Sequence, residues 1–166
     1  ARGSIIHLLL EHLPLVDRSE RQDLGQKLLL GQEDNTFDLD LVDQVIQLLD
    51  TPDLVPIFNN DALVEVVITA KLPELDGERI HGAIDRLLIT DTNVLAIDYK
   101  PNVKVPASAD KPPVGLLRQM GAYQSALQQI FPDHTVETAI LWTQTATLVR
   151  LPSALTISAL RSITDL

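Results

Sequence analysis

Two apolar runs between residues 79 and 100 are each interrupted by one aspartate and are separated by a short polar segment. Their β-branched content and polar junction predict two strands of a hairpin. Asp85 and Asp98 stand where packed strands normally carry aliphatic residues, and Lys100 follows two positions later. Because burying unpaired charges is costly, a fold that packs these strands must supply partners for both carboxylates. A divalent metal ion held between them is the simplest such partner.

The turn of this hairpin decides which side chains face one another. A two-residue turn at 91–92 places Asp85 directly across from Asp98, whereas a turn at 92–93 places Asp85 across from Lys100. Both registers predict that the three charged groups share one face, since alternate strand residues point the same way. A three-residue loop would put Asp85 on the other face unless a bulge restored it.

The chemistry of these groups suits a hydrolytic metal site. Two opposed carboxylates repel unless a cation or a proton lies between them, and oxygen ligands favour Mg²⁺ or Mn²⁺ over Zn²⁺. A neighbouring lysine can orient a water or stabilise developing negative charge. The competing interpretation is a surface hairpin with an Asp–Lys salt bridge across the strands. Four apolar neighbours favour burial instead: Ile84, Leu87, Ala96 and Ile97.

Composition limits the alternatives. A chain of 166 residues fits one domain, and the absence of cysteine excludes disulfides, thiol catalysis and cysteine-bound zinc. With no apolar run of membrane-spanning length and no signal start, we expect a soluble, intracellular protein. The net charge of −10 is unfavourable for nucleic-acid binding. The segment after the hairpin is locally more basic, and a domain tethered to a larger DNA-binding assembly need not supply its own affinity. Its cations are Lys100, Lys104, Lys111 and Arg118.

The order of predicted elements indicates an α/β fold with a mixed five-stranded sheet flanked by helices. A helical part covers about residues 1–60, and the remaining core covers about 61–166. The predicted helices are 4–16 with Ser4 as N-cap, 19–30 ending at Gly31, 38–50, 113–130, and one starting at 153. The predicted strands are 62–70, the two strands of the hairpin at 79–100, 135–142, and 146–150.

Two further residues have both an ordinary and a functional interpretation. His7 shares a helical face with Glu11, and a histidine on an apolar helix is usually a hydrogen-bonded core residue. Glu65 is the one charge in the strand at 62–70; it belongs either to an edge strand or to the metal site. Glycine-rich nucleotide motifs and the GxSxG serine motif are absent, so hydride transfer, nucleotide hydrolysis and serine-esterase chemistry lack support.

Taken together, these motifs resemble a known family. Asp85, the triplet at 98–100, and Gln119 followed four residues later by Tyr123 resemble the PD-(D/E)XK nuclease superfamily. More closely, the chain resembles the C-terminal nuclease domain of AddA/RecB-type helicase–nucleases, which repair double-strand breaks in bacteria. Five segments carry this similarity: 3–14, 82–87, 94–100, 117–123 and 139–143.

The resemblance implies a restriction-endonuclease-like fold and a single nuclease domain over 1–166, excised from a longer helicase–nuclease chain that binds ATP. It implies Mg²⁺- or Mn²⁺-dependent exonuclease activity on DNA, with single-stranded ends delivered by the helicase. It also implies an AddB-type partner subunit, a cytoplasmic location and no membrane association.

The resemblance also assigns metal ligands. Asp85 and Asp98 would bind the catalytic metal, His7 would add an imidazole ligand, and the backbone carbonyl of Tyr99 would complete the shell.

Other residues receive catalytic or supporting roles by the same resemblance. Glu65 would lie at the catalytic centre, and Lys100 would position water or stabilise the transition state. Gln119 and Tyr123 would contact DNA or brace the site. The family usually has threonine after the lysine, where this chain has Pro101, which removes a backbone donor and ends strand pairing.

Two non-enzymatic alternatives remain at this stage. One is a catalytically silent nuclease fold that clamps DNA or docks a partner, which the negative net charge favours. The other is an acidic helical scaffold whose hairpin charges form surface salt bridges. Exposure of Asp85 and Asp98 to solvent would favour the scaffold.

Overall fold

The computed structural model describes residues 2–32, 38–59, 61–101 and 112–163. Five α-helices and five strands are present in this part of the chain. The helices are α1 Arg2–His12, α2 Arg21–Leu30, α3 Leu39–Asp50, α4 Val114–Ile130 and α5 Ser153–Arg161. The strands are β1 Leu63–Leu72, β2 Glu78–Ile89, β3 Asn93–Lys100, β4 Thr135–Trp142 and β5 Thr147–Leu151. None of the described helices is long and apolar enough to cross a bilayer.

The five strands form one mixed sheet in the order β1-β2-β3-β4-β5. The first three strands are antiparallel neighbours, β4 is parallel to β3, and β5 is antiparallel to β4. The parallel pair requires a crossover connection, and α4 lies within it. The predicted mixed sheet with flanking helices is therefore confirmed.

Helices cover the two faces of the sheet unequally. Helices α1, α2 and α3 pack on one face against alternate residues of β3 and β4, including Ile97, Tyr99 and Leu141. Helices α4 and α5 pack on the other face against the intervening residues, such as Ala96 and Ile140. β3 and β4 are thus covered on both faces, which explains their nearly continuous apolar sequence.

The predicted elements are confirmed with small boundary shifts, except at the first helix. α1 begins at Arg2, so Ser4 lies inside the helix and the prediction that it is the N-cap was wrong. The helix also ends at His12 rather than at residue 16, and a 3₁₀ turn follows over Leu13–Leu15. Pro14 explains this early end, because proline lacks an N–H and disfavours helical geometry in the residue before it.

Near its turn the hairpin has the first of the predicted registers. The direct pairing of Asp85 with Asp98 that this register predicts is not formed, because the ladder ends at Arg86 and Ile97. Arg86 pairs with Ile97 and Ile89 pairs with Val94, so the two-residue turn is at 91–92. The backbone N–H of Thr90 donates to the carbonyl of Asn93 at 2.9 Å and closes the turn. The turn at 92–93 and the three-residue loop are both excluded by this pairing.

Regular geometry breaks down at Asp85. Pairing between β1 and β2 continues on both sides of Glu65, but Glu65 itself has a left-handed φ of 49°. Ile84 and Leu87, an odd number of positions apart, both pack on the α4 side of the sheet, so side-chain alternation reverses between them. The β2–β3 ladder ends at the Arg86–Ile97 pair, and β2 continues with β1 as a two-stranded ribbon. An opening between β2 and β3 results, with Asp85 at its apex.

Candidate metal and catalytic site

Asp85 occupies the opening where the β2–β3 ladder ends. Its Oδ2 accepts a hydrogen bond of 2.7 Å from the backbone N–H of Tyr99 on β3. Asp85 is 8% exposed and Asp98 is 5% exposed, so neither carboxylate belongs to a surface salt bridge. The interpretation as a scaffold with solvated hairpin charges is therefore wrong.

Three side chains from three elements converge on this apex. Nδ1 of His7 on α1 lies 3.4 Å from Oδ1 of Asp85 and 3.8 Å from Oε1 of Glu65 on β1. One ligand atom from each residue falls within 4.8 Å of the other two. His7 thus faces the carboxylates, although the ordinary interpretation placed it in the core.

These spacings suit a small divalent cation. Mg²⁺ binds ligands at about 2.1 Å, so atoms bound to one ion lie about 3 to 4 Å apart. The His7 contacts fall in this range, and the widest separation in the cluster requires only a small closure. Two carboxylates and one imidazole also form a donor set that Mn²⁺ accepts readily.

Asp98 and Lys100 lie beside this cluster as an ion pair. Nζ of Lys100 is 3.0 Å from Oδ2 of Asp98, yet the contact lacks hydrogen-bond geometry and Oδ2 has no hydrogen-bond partner. A buried carboxylate oxygen left in this state is costly, and a cation at the neighbouring cluster would compensate it. Asp98 does not belong to the three-residue group, so its predicted role as a direct ligand stays a prediction.

The electrostatics of the apex oppose ionisation of Asp85. The pKa of its carboxyl is raised to about 6, mainly by burial and also by the charges of Asp98 and Glu65. The Tyr99 hydrogen bond and His7 act against this rise. Carboxylates brought this close together in a largely buried position are typical of cation sites.

Tyr99 supports the apex through its backbone and its ring. Its side chain is buried, which raises the pKa of the phenol, and its ring packs edge-on against His7 with centroids 5.3 Å apart. The ring therefore holds the imidazole while the Tyr99 N–H holds Asp85. Metal binding by the Tyr99 carbonyl stays a prediction.

Gln119 and Tyr123 link α4 to the strand that carries Asp85. Nε2 of Gln119 donates to the Tyr123 hydroxyl at 3.0 Å, and this hydroxyl donates to the carbonyl of Ala83 at 3.0 Å. A Cβ at Gly82 would lie only 2.8 Å from the Tyr123 ring, so a glycine is needed for this close approach. The contacts favour the bracing role for both side chains over direct DNA contact.

Arg86 is a supporting residue that sequence reasoning missed. It is buried next to Asp85, where Nε donates to the Ile57 carbonyl at 2.8 Å and Nη2 donates to the Asn59 carbonyl at 2.7 Å. Its guanidinium also lies 4.8 Å from the centre of the Phe58 ring. The signal was a second charge in the same apolar run, directly after Asp85. The side chain anchors the loop before β1 to β2 at the site.

Two other predictions concern the surroundings of the site. Pro101 follows the last residue of β3, as expected of a residue that cannot extend the ladder. Of the predicted basic segment, Lys104 and Lys111 lie outside the described residues.

Comparisons with known proteins identify the family of the chain. The sequence model of the PD-(D/E)XK nuclease superfamily matches residues 1–159. A solved structure titled "Crystal structure of SSO0001" is 15% identical to this chain, with a TM-score of 0.37. The match covers 97% of this chain and 72% of the chain in that structure. No curated protein matches the chain. The mixed sheet with flanking helices is consistent with the restriction-endonuclease-like fold of the superfamily. Since the family match spans nearly the whole sequence, the chain belongs to the PD-(D/E)XK nuclease superfamily.

Proposed function

We propose that this protein is a Mg²⁺- or Mn²⁺-dependent deoxyribonuclease that hydrolyses phosphodiester bonds. The observation that carries the proposal is the convergence of His7, Glu65 and Asp85 within 4.8 Å, beside the Asp98–Lys100 pair. Superfamily membership supports the same reaction class.

In this proposal Asp85, Glu65 and His7 hold the metal, with Asp98 adding negative charge next to it. A bound divalent cation would lower the pKa of a water and stabilise charge on the phosphate oxygens. The Tyr99 N–H fixes one oxygen of Asp85, which leaves its other oxygen directed at His7. This arrangement limits rearrangement of the ligands before the reaction.

Lys100 acts on the substrate side. Its contact with Asp98 restrains the ammonium group at the edge of the site, while a third of its side chain is exposed. From there it orients the attacking water or donates to the phosphate oxygen on which charge develops. Gln119 and Tyr123 support the reaction indirectly, since they hold the β2 backbone near Asp85.

We further propose that the domain belongs to an AddA/RecB-type helicase–nuclease active in bacterial double-strand break repair and recombination. It would act as an exonuclease on single-stranded ends delivered by an ATP-driven helicase in the parent chain, in the cytoplasm, with an AddB-type subunit as partner. Support comes from the order of the segments at 3–14, 82–87, 94–100 and 117–123. The net charge of −10 also suits a domain that depends on its neighbours to bring DNA.

A catalytically silent module for DNA clamping or partner docking is the second candidate. The negative net charge favours it, because a cleaving domain benefits from a basic surface. The complete set of Asp85, Asp98 and Lys100 argues against it.

Cleavage of an end-labelled single-stranded oligonucleotide with Mg²⁺ tests the proposal. We expect Asp98→Asn to lower kcat/KM by about 100-fold or more, since one charge beside the metal is lost. Asp91→Asn is the matched control because it makes the same change at the exposed turn of the same hairpin, and it should retain activity.

Two results would overturn the assignment. Equal cleavage by wild type and Asp98→Asn would mean that the activity comes from elsewhere. A calorimetric titration with Mn²⁺ that shows no heat in the wild type would favour the silent module, because the carboxylates would then hold no ion.

A further inference from the structure

The ribbon formed by β1 and β2 extends past the site with one face uncovered. Its other face packs against α4 through Ile68, Leu72 and Ile84. On the uncovered face the side chains form three cross-strand pairs, all of them exposed. In order from the site, the pairs are Val67 with Ala83, Thr69 with His81, and Lys71 with Arg79.

This row of pairs begins at the candidate metal site. Glu65 precedes Val67 by two positions on β1, and Glu65 contacts His7 of α1. Because α1 packs on the sheet face opposite α4, the contact places the metal cluster and the row on the same side of the ribbon. The row therefore leads outward from the cluster along an open surface.

The outermost pair is unusual in its charge. Lys71 and Arg79 are direct cross-strand neighbours, and like charges in this arrangement destabilise a strand pair. Within the described part of the chain, neither has a carboxylate within ion-pair distance, whereas Arg18, Lys27 and Arg150 each have one. Two adjacent uncompensated cations on an otherwise acidic protein indicate a site for an anion.

We propose that this row binds the phosphodiester backbone of the strand that is being cleaved, with Lys71 and Arg79 holding a phosphate several nucleotides from the scissile bond. The inference rests on the proposed nuclease function. Strand residues rise about 3.3 Å each, so the cation pair lies about 20 Å from Asp85.

Residues between the site and the cation pair fit the same ligand. Val67 is 77% exposed, which provides an apolar surface for a sugar or base next to the site. The Thr69 hydroxyl and His81 Nδ1 are 3.0 Å apart and offer polar atoms midway along the path. Cations, polar groups and a small apolar surface in a row are what a single strand contacts when its sequence is not read.

A matched pair of double variants tests this proposal. Lys71→Ala/Arg79→Ala removes the two cations of the row, and Arg18→Ala/Lys27→Ala removes two ion-paired cations at and just before α2 with the same change in net charge. Binding of a fluorescent single-stranded oligonucleotide is measured by anisotropy in EDTA at several salt concentrations. We expect the first variant to bind about tenfold more weakly, with a salt-dependence slope smaller by about 1. The control should keep both the affinity and the slope of the wild type.

Cleavage distinguishes failure of this inference from failure of the proposed function. With Mg²⁺, the row variant should lose more kcat/KM on a long single strand than on a dinucleotide, because only the long strand reaches the row. Equal binding and equal cleavage by the two double variants would overturn the inference while leaving the nuclease proposal intact. The same equality is expected if the row docks an acidic protein instead of DNA. A wild type that cleaves neither substrate, combined with weaker binding by the row variant, would overturn the nuclease function and keep the binding row.

Discussion

The two halves of the β2–β3 hairpin are held together by different interactions. Near the turn, Leu88 faces Leu95 and Ile89 faces Val94 in an uninterrupted ladder. Beyond Arg86 the ladder ends, the strands part, and Asp85 bonds to the backbone of β3 through its side chain. The half near the turn is stabilised by apolar packing. The other half has no β2–β3 strand pairing, and its charged groups are held by side-chain contacts.

This difference shows how an otherwise stable sheet can hold a costly site. The apolar pairs fix the register, and a one-residue slip would move every side chain to the other face. The fixed register holds Asp85 and Asp98 in buried positions, even though their burial is unfavourable without a cation. Sites of this kind commonly reduce the stability of the metal-free protein.

The largest expected effect is a loss of activity and metal affinity in Asp85→Asn, which changes the open half of the hairpin. The amide keeps an oxygen that can accept the Tyr99 N–H, but it removes the negative charge shared with His7 and Glu65. We expect kcat/KM for single-stranded DNA to fall by about 1,000-fold, with metal affinity lowered as well. Activity assays and Mn²⁺ titration measure the two effects. Unchanged affinity for Mn²⁺ would show that the ion is held elsewhere.

Val94→Ala should instead destabilise the half of the hairpin near the turn. Val94 is fully buried between the sheet and α4, so its truncation leaves a cavity. We expect the free energy of unfolding to fall by about 2 kcal/mol, as measured by urea denaturation. Below the unfolding transition the variant should cleave DNA nearly as fast as the wild type. A large loss of activity in the folded variant would show that the two halves are coupled.

The buried carboxyl of Asp85 should also make the stability of the protein depend on pH, with a smaller effect. The pKa of Asp85 is raised from 3.8 to about 6 in the folded state, so the folded protein holds this proton more tightly than the unfolded chain. The resulting stabilisation is fully present below the unfolded pKa and is lost as the pH rises through about 6.

Urea denaturation in EDTA at pH 4.5 and 7.5 measures this loss. Between the two pH values, the wild type should lose about 1 kcal/mol more than Asp85→Asn. Mg²⁺ should reverse the loss at pH 7.5 because it binds the ionised form. Parallel pH profiles for the two proteins would contradict a raised pKa at Asp85.

Local features of the chain were predictable because their causes are local. The hairpin follows from its two apolar runs and polar junction, although the pattern left its turn open between 91–92, 92–93 and a longer loop. The end of β3 before Pro101 follows from the missing N–H of proline. The first helix was the exception, because it begins at Arg2 and not at the Ser4 N-cap that the sequence predicted.

The strands, the order of the elements and the two aspartates in packed strands could be predicted from the amino-acid sequence. That β2 pairs with β3 only from Arg86 onward depends on tertiary packing. The hydrogen bond from the Tyr99 N–H to Asp85 and the contact of His7 on α1 with Glu65 on β1 depend on it as well. The physical reason is the range of the interactions. Strand patterns and turns depend on neighbours in the chain, whereas the cation site depends on how α1 packs against a sheet whose alternation reverses at one position.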